Sequence, residues 1–329
     1  ISNLLPGEFK LTELSSPDGY VPAGDQMFSL SGDEQQTVEI IVNNTKTPVP
    51  VKTVDQNFFE TFDATRTFTI SVPVGPVDGI SSFNIEDAID SYFKVIDIQT
   101  LVDNESVEGI AATMDGSVLK LSVEGEDLAK IADKTVNIVY QVNLKDGFSY
   151  ADLPEDYKTS GIPNQAGLIV DNQPRVNTAI KKVEVPVGEV TLRKTAQGQA
   201  LAENESATFE LYRVIGEKDF ISQNEEDTAD ALVGTYMTRK QGGQDVVHVD
   251  QLQPGTYYFI ETAAPNGYIT DGTPQVFVIT VNAGETPVTT QTTGEGSFAN
   301  FTVDNQPIET PPVEKDVKET GAFQKSHLN

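Results

Sequence analysis

Residues 136–144 read Val-Asn-Ile-Val-Tyr-Gln-Val-Asn-Leu, in which apolar and polar side chains alternate except at Val139. Because side chains two positions apart on a strand face the same way, the stretch predicts a β-strand that buries Val136, Ile138, Tyr140, Val142 and Leu144. Shorter alternating runs recur at Phe68/Ile70, Leu119/Leu121/Val123 and Phe277/Ile279/Val281. Helical patterning is confined to two short candidates, residues 86–92 and 126–132. The pattern predicts an all-β protein of antiparallel sandwiches.

The composition narrows the classes of function. The 329 residues include 50 acidic and 22 basic side chains, for a formal net charge of −28, with no cysteine and two histidines. A net negative charge of this size repels nucleic-acid backbones and anionic membranes. The absence of cysteine removes disulfides and thiol chemistry, and no apolar run is long enough to span a bilayer. We expect no nucleic-acid partner, no membrane insertion in this segment, no cofactor and no metal.

An internal repeat suggests the domain map. Pro6, Glu13 and Tyr20 recur as Pro254, Glu261 and Tyr268, each 248 positions later. We therefore expect four parts: residues 1–47 as the end of one domain, 48–186 as a second domain, 187–309 as a third, and 310–329 as a linker or the first strand of a fourth. Pro-rich joints separate them. The alternative is that residues 1–47 form a complete small domain.

Three polar residues occupy core positions in the third part. Lys194, Glu261 and Asn305 each continue the inward register of an apolar strand. Burying them is costly unless they satisfy one another. In a dry core a lysine loses its proton more easily, so its amine can attack the asparagine side-chain carbon while the carboxyl group shuttles protons. The product is an isopeptide bond plus ammonia; the alternative is a buried ion pair without covalent chemistry.

The same residues carry a family resemblance. Residues 187–309 resemble the collagen-adhesin B-type domains of Gram-positive pilins and surface adhesins, in the segments 190–194 (Val-Thr-Leu-Arg-Lys), 207–212 (Ala-Thr-Phe-Glu-Leu-Tyr), 261–268 and 301–305. The resemblance implies immunoglobulin-like sandwiches in an elongated array, with a Lys194–Asn305 bond catalysed by Glu261. Residues 1–47 resemble the second half of another such domain, with Glu13 as carboxylate, Asn44 as acceptor and a lysine upstream of this chain.

Residues 48–186 resemble the other isopeptide-forming, immunoglobulin-like domain of fimbrial proteins, in which the catalytic carboxylate is an aspartate. The resemblance implies a bond from Lys52 to Asn164, in Ile-Pro-Asn-Gln-Ala, with Asp87 as catalyst. Two alternatives remain open, since Glu86 adjoins Asp87 and Asn172 is a rival acceptor. Lys315 is the equivalent of Lys52 in a following domain.

The resemblance implies a stalk or shaft segment of a sortase-assembled pilus subunit or surface adhesin, displayed outside the cell. Its partners would be other pilin subunits or a host surface or matrix protein, with sortase acting on the full-length protein. We expect no enzyme activity beyond single-turnover bond formation. The alternative is a ligand-binding adhesin module that recognises a host protein, with the insertion 216–243 as one candidate surface.

Overall fold

The structure is a computed structural model that describes residues 1, 3–32, 37–171, 173–215, 230–281, 285–291 and 300–309. β-strands account for 50% of the structure and helices for 6%, which confirms the all-β prediction. Asn172, Lys315, the rest of residues 310–329 and the first half of the 216–243 insertion lie outside the described residues. No helix in the described ranges is long and apolar enough to cross a membrane.

The chain divides into two compact units. The first comprises the described residues of Ile1–Glu189, Asp250–Gly255 and Ile279–Val288, and the second those of Val190–Val249, Thr256–Val278 and Thr289–Asn329. This division neither matches nor tests the four-part map, which stays a prediction.

Residues 1–47 contain four short strands: β1 (Gly7–Leu11), β2 (Tyr20–Val21), β3 (Gln26–Leu30) and β4 (Thr45–Lys46). Strands β1 and β3 pair antiparallel, as do β2 and β4. The rings of Phe9 and Phe28 stack across the first pair with centroids 5.2 Å apart. Residues 37–44, all of them described, belong to no strand.

The strands between Val51 and Val183 form a sandwich around one apolar core, to which Val21 also contributes. Its strands are β5 (Val51–Val54), β6 (Arg66–Pro73), β7 (Ser82–Ala88), β8 (Phe93–Val102), β9 (Thr113–Asp115), β10 (Val118–Glu124), β11 (Thr135–Leu144), β12 (Ile162–Asn164), β13 (Ala166–Val170), β14 (Val176–Asn177) and β15 (Lys181–Val183). One sheet has the order β5-β6-β11-β8, the facing sheet has the order β14-β13-β7-β10-β9, and β12 pairs with β15. All five inward residues predicted for β11 are buried.

Two short helices connect these strands: α1 (Leu128–Ile131), preceded by a 3-10 turn at Gly125–Asp127, and α2 (Glu155–Ser160), preceded by another at Tyr150–Asp152. The helical prediction for residues 126–132 is confirmed. The prediction for residues 86–92 is wrong, because Glu86–Ala88 continue strand β7. There the alternating burial of Phe83, Ile85 and Asp87 decides the backbone conformation.

The rest of the described chain forms a second pair of sheets. Its strands are β16 (Gly188–Ala196), β17 (Thr208–Arg213), β18 (Ala231–Met237), β19 (Arg239–Gln241), β20 (Gln244–Leu252), β21 (Gly255–Ala263), β22 (Gln275–Thr280), β23 (Val288–Gln291) and β24 (Asn300–Asn305). The sheet orders are β19-β20-β16-β24 and β18-β17-β21-β22-β23. Strands β16 and β24 run parallel, with Lys194 opposite Val303.

Candidate functional site

The polar residues predicted for the third part meet in its core. Strand β16 carries Lys194 inward beside the buried Val190 and Leu192, while β21 and β24 supply Glu261 and Asn305. The exposed fractions are 0% for Lys194, 3% for Glu261 and 1% for Asn305. Period-two alternation thus places a cation, a carboxyl group and an amide out of contact with water.

The carboxyl group of Glu261 contacts both other members of this cluster. The Asn305 amide nitrogen Nδ2 donates to Glu261 Oε2 at 2.7 Å, and Lys194 Nζ lies 3.8 Å from Glu261 Oε1. The backbone N–H of Asp271 also donates to Glu261 Oε2, at 2.7 Å. Burial lowers the pKa of Lys194, and the nearby Glu261 charge opposes that shift. Lys194 in this cluster therefore gives up its proton more readily than an exposed lysine does.

The sandwich formed by strands β5 to β15, called the middle sandwich from here on, contains a second cluster. Lys52 on β5, Asp87 on β7 and Asn164 on β12 have exposed fractions of 1%, 0% and 2%. Lys52 Nζ donates a hydrogen bond to Asp87 Oδ2. Burial lowers the pKa of Lys52 from 10.5 to about 8, although the Asp87 charge acts in the opposite direction. The amine of Lys52 is thus closer to neutrality at physiological pH than that of an exposed lysine.

Tyr140 also belongs to this cluster, although its place in the alternating pattern predicted only that it lies in the core. Its hydroxyl donates to Asp87 Oδ2 at 2.6 Å and accepts from the Asn164 amide Nδ2 at 2.7 Å. Its ring stacks on Phe68 with centroids 5.4 Å apart. A buried tyrosine usually has a hydrogen-bond partner for its hydroxyl. The inward position of Tyr140 was therefore the one sign in the sequence that its hydroxyl contacts a polar group in the core.

The structure separates the two adjacent carboxylates of β7. Asp87 points into the core, whereas Glu86 points outward, with Oε2 3.1 Å from Arg175 Nη1 and Oε1 3.8 Å from Lys120 Nζ. Asp87 is therefore the carboxylate beside Lys52. The rival acceptor Asn172 lies outside the described residues.

Gly161 fixes the position of Asn164. Helix α2 ends at this glycine, whose φ of +82° lies in the left-handed region. A Cβ there would come within 2.8 Å of the backbone carbon of Val183, the β15 residue that pairs with Ile162. Only glycine permits both the turn and the close approach of β12 to β15.

Residues 1–47 repeat part of the Glu261 arrangement. The Asn44 amide donates to Glu13 Oε2 at 2.6 Å and to the carbonyl of Val21 at 3.1 Å, and the Ala23 N–H donates to Glu13 Oε2 at 2.7 Å. Asn305 likewise donates to the carbonyl of Ile269, at 3.0 Å. Among the described residues no lysine forms an ion pair with Glu13. A cavity of about 250 Å³ lies beside Glu13 instead, lined also by Leu11 and Val42.

Comparisons with known proteins address the fold. A family profile described as the prealbumin-like fold domain of SpaA matches residues 188–304. BcpA, the major pilin subunit of Bacillus cereus, superposes with a TM-score of 0.56 at 16% identity, covering 93% of this chain and 86% of that one. The full-length major pilin RrgB of Streptococcus pneumoniae superposes with a TM-score of 0.50 at 13% identity, covering 94% and 84%.

The chain has a pilin-type fold. A search of curated protein sequences finds no match. These two solved structures superpose over more than nine-tenths of the chain, whereas the family profile covers only residues 188–304.

Proposed function

We propose that this chain is a shaft segment of a surface pilus, stabilised by autocatalytic isopeptide bonds from Lys194 to Asn305 and from Lys52 to Asn164. The observation that carries the proposal is the pair of buried lysine–carboxyl–asparagine clusters. A buried ion pair alone is a weak source of stability, because desolvation offsets its attraction. Two such clusters, each with an amide in place, are explained better by a reaction between their members.

The proposed reaction releases one ammonia per bond. The lysine ammonium gives a proton to the carboxylate, which leaves a neutral amine and a carboxylic acid. The amine nitrogen attacks the asparagine Cγ, the Cγ–Nδ2 bond breaks, and the departing nitrogen takes up a proton to leave as ammonia. Each lysine and asparagine is held in place by its strand, so most of the entropic barrier is removed by folding. Glu261 and Asp87 are the proposed proton carriers.

Each bond would connect the first strand of a sandwich to a late one. The closed loops contain about 110 residues, for which the chain-entropy model of cross-links gives about 4 to 5 kcal/mol of stabilisation. Force applied to the ends of such a domain would load a covalent link instead of a ladder of hydrogen bonds. This property suits a shaft in a chain that has no cysteine.

Glu13 and Asn44 are the proposed catalyst and acceptor of a further bond whose lysine lies outside residues 1–47. Their contacts match those of Glu261 and Asn305, and the cavity beside Glu13 leaves room for a lysine side chain. Lys315 is the corresponding donor proposed for a following domain. Other pilin subunits are the proposed partners, sortase the proposed assembly enzyme, and the cell surface the proposed location.

Intact mass spectrometry of the denatured chain tests this proposal. We expect the measured mass to fall short of the sequence mass by two ammonia molecules, and tandem spectra of proteolytic fragments to locate the links at Lys194–Asn305 and Lys52–Asn164. A link from Lys52 to Asn172 would replace the second assignment. A mass equal to the sequence mass would overturn the proposal and leave the clusters as buried polar groups.

A further inference from the structure

Within the described parts of the chain, the cluster of the middle sandwich contains a hydrogen-bond chain that the Glu261 cluster lacks. It runs from Lys52 Nζ to Asp87 Oδ2, from the Tyr140 hydroxyl to the same Oδ2, and from Asn164 Nδ2 to the Tyr140 oxygen. Its ends are the attacking and the departing nitrogen of the proposed reaction. In the other cluster the asparagine amide donates directly to the glutamate carboxylate. The hydroxyl of Tyr140 thus occupies the place between carboxylate and amide.

Side-chain length explains this difference. Aspartate is one methylene shorter than glutamate, and the amide nitrogen of Asn164 hydrogen-bonds to Tyr140 instead of to Asp87. The Tyr140 ring is held rigidly, because it is fully buried and stacked on Phe68. Lys52 Nζ lies 5.0 Å from the centroid of Phe68 and 5.5 Å from that of Tyr140, so both rings also border the nucleophile.

We propose that Tyr140 is a catalytic residue of the middle sandwich and relays a proton from Asp87 to the departing nitrogen of Asn164. This inference rests on the proposed Lys52–Asn164 bond. In this scheme two residues acting in series, Asp87 and Tyr140, deliver the proton to the leaving group. In the other cluster Glu261 delivers it alone.

The relay is balanced in atoms and charge. Lys52 first gives a proton to Asp87, and its neutral amine then attacks Asn164 Cγ to form a tetrahedral intermediate. Asp87 returns that proton to the Tyr140 oxygen while the hydroxyl proton of Tyr140 passes to Nδ2. The Cγ–Nδ2 bond breaks, ammonia leaves, and the new amide nitrogen gives its surplus proton to Asp87. Tyr140 ends as it began, and Asp87 ends protonated.

The variant Tyr140→Phe tests the relay, because it keeps the ring and removes only the hydroxyl. The chain is synthesised in a cell-free system, and ammonia loss is followed by intact mass over time. We expect the Lys52–Asn164 bond to form about 100-fold more slowly or worse, the usual range for loss of a general acid–base group. The Lys194–Asn305 bond of the same molecule is the internal control and should form at the wild-type rate.

Two further measurements separate relay from positioning and from misfolding. Tyr140→Phe is combined with Asn164→Ala, and a cooperative thermal transition like that of Asn164→Ala alone establishes an intact fold. A ring-fluorinated tyrosine placed at position 140 changes the acidity of the hydroxyl but keeps its geometry, so a changed bond-formation rate supports proton transfer and an unchanged rate overturns it.

The outcomes also distinguish this inference from the proposed function. If wild type and Tyr140→Phe both lose two ammonia molecules at equal rates, the relay is wrong and the bonds stand. If wild type never loses the second ammonia, the Lys52–Asn164 bond and the relay fall together.

Discussion

In the cluster around Glu261 the carboxyl group contacts the asparagine amide itself, whereas around Asp87 a tyrosine hydroxyl lies between the two. Both clusters bury a lysine whose pKa is lowered by desolvation, and both leave the asparagine oxygen Oδ1 without a hydrogen-bond partner among the described residues. The comparison teaches that the sandwich fixes where the lysine and the amide lie. The carboxylate then needs only to connect them, directly or through a neighbour.

Removing either carboxylate should have the largest effect on bond formation and stability. The effect should be confined to the sandwich that contains the carboxylate. Glu261→Gln is expected to abolish only the Lys194–Asn305 bond and Asp87→Asn only the Lys52–Asn164 bond. Each should lower the free energy of unfolding of its own sandwich by about 4 to 5 kcal/mol. Intact mass counts the bonds, and urea denaturation measures the stability.

The matched control is Glu86→Gln, which changes the neighbouring carboxylate on the outer face of β7. It should retain both bonds, and its stability should change by less than about 1 kcal/mol. Loss of the middle bond in this variant would contradict the assignment of Asp87.

The stability of the middle sandwich without its bond should depend on pH in a way that reveals the lowered pKa of Lys52. In Asn164→Ala no bond forms at position 164, and the folded pKa of Lys52, about 8, lies below its ordinary 10.5. The unfolded chain binds more protons between these values, so stability should rise with pH across that window, by roughly 3 kcal/mol at most. Urea denaturation at several pH values measures the slope.

The double variant Asn164→Ala with Lys52→Met isolates the lysine contribution, since every other titrating group is common to both chains. The rise attributed to Lys52 should be absent from the double variant, so it should appear in full in the difference between the two chains. An equal slope in the two chains would mean that Lys52 keeps an ordinary pKa when folded.

Two glycines with positive φ, Gly161 and Gly198, differ in whether an added Cβ would meet other atoms. Gly161→Ala should cost about 2 to 3 kcal/mol and slow the middle bond, because its Cβ would approach Val183 backbone to 2.8 Å. Gly198, with φ of +71°, has no atom within 4 Å of a Cβ, so Gly198→Ala should cost about 1 kcal/mol. Thermal unfolding and mass time courses of both variants test the ranking. Equal costs would show that left-handed strain, not the β12–β15 contact, dominates at Gly161.

The smallest effect is expected at the incomplete cluster. Glu13→Gln should leave the number of ammonia molecules lost by this chain at two, because no lysine of the described residues pairs with Glu13. The hydrogen bond from Asn44 would weaken by about 1 kcal/mol. A change in the number of bonds would mean that a lysine of this chain reacts at Asn44.

The sequence alone predicted the strands whose apolar residues alternate, and it predicted which polar residues lie inside them. Lys194, Glu261 and Asn305 stood out because a charge or amide in the inward register is expensive. Tyr140 did not stand out, since a tyrosine fits an apolar face and only the three-dimensional structure reveals what its hydroxyl contacts.

Local pattern was also insufficient where elements are short. Helix α2 has six residues and no apolar periodicity, so nothing distinguished it from a loop. The alternating residues Ile162, Asn164, Ala166 and Leu168 are all buried. The run is nevertheless split between β12, which pairs with β15, and β13, which pairs with β7. Such pairings depend on distant strands, which a local pattern does not contain.

The parallel pairing of β16 with β24 has a consequence for the time course of folding. These strands lie more than 100 residues apart in sequence, so their first meeting requires closing a long loop, which is slow in proteins dominated by non-local contacts. With Lys194 bonded to Asn305, that search would be made once in the lifetime of the molecule. Every later refolding would start from strands that are still joined, so the domain would refold faster than it first folded.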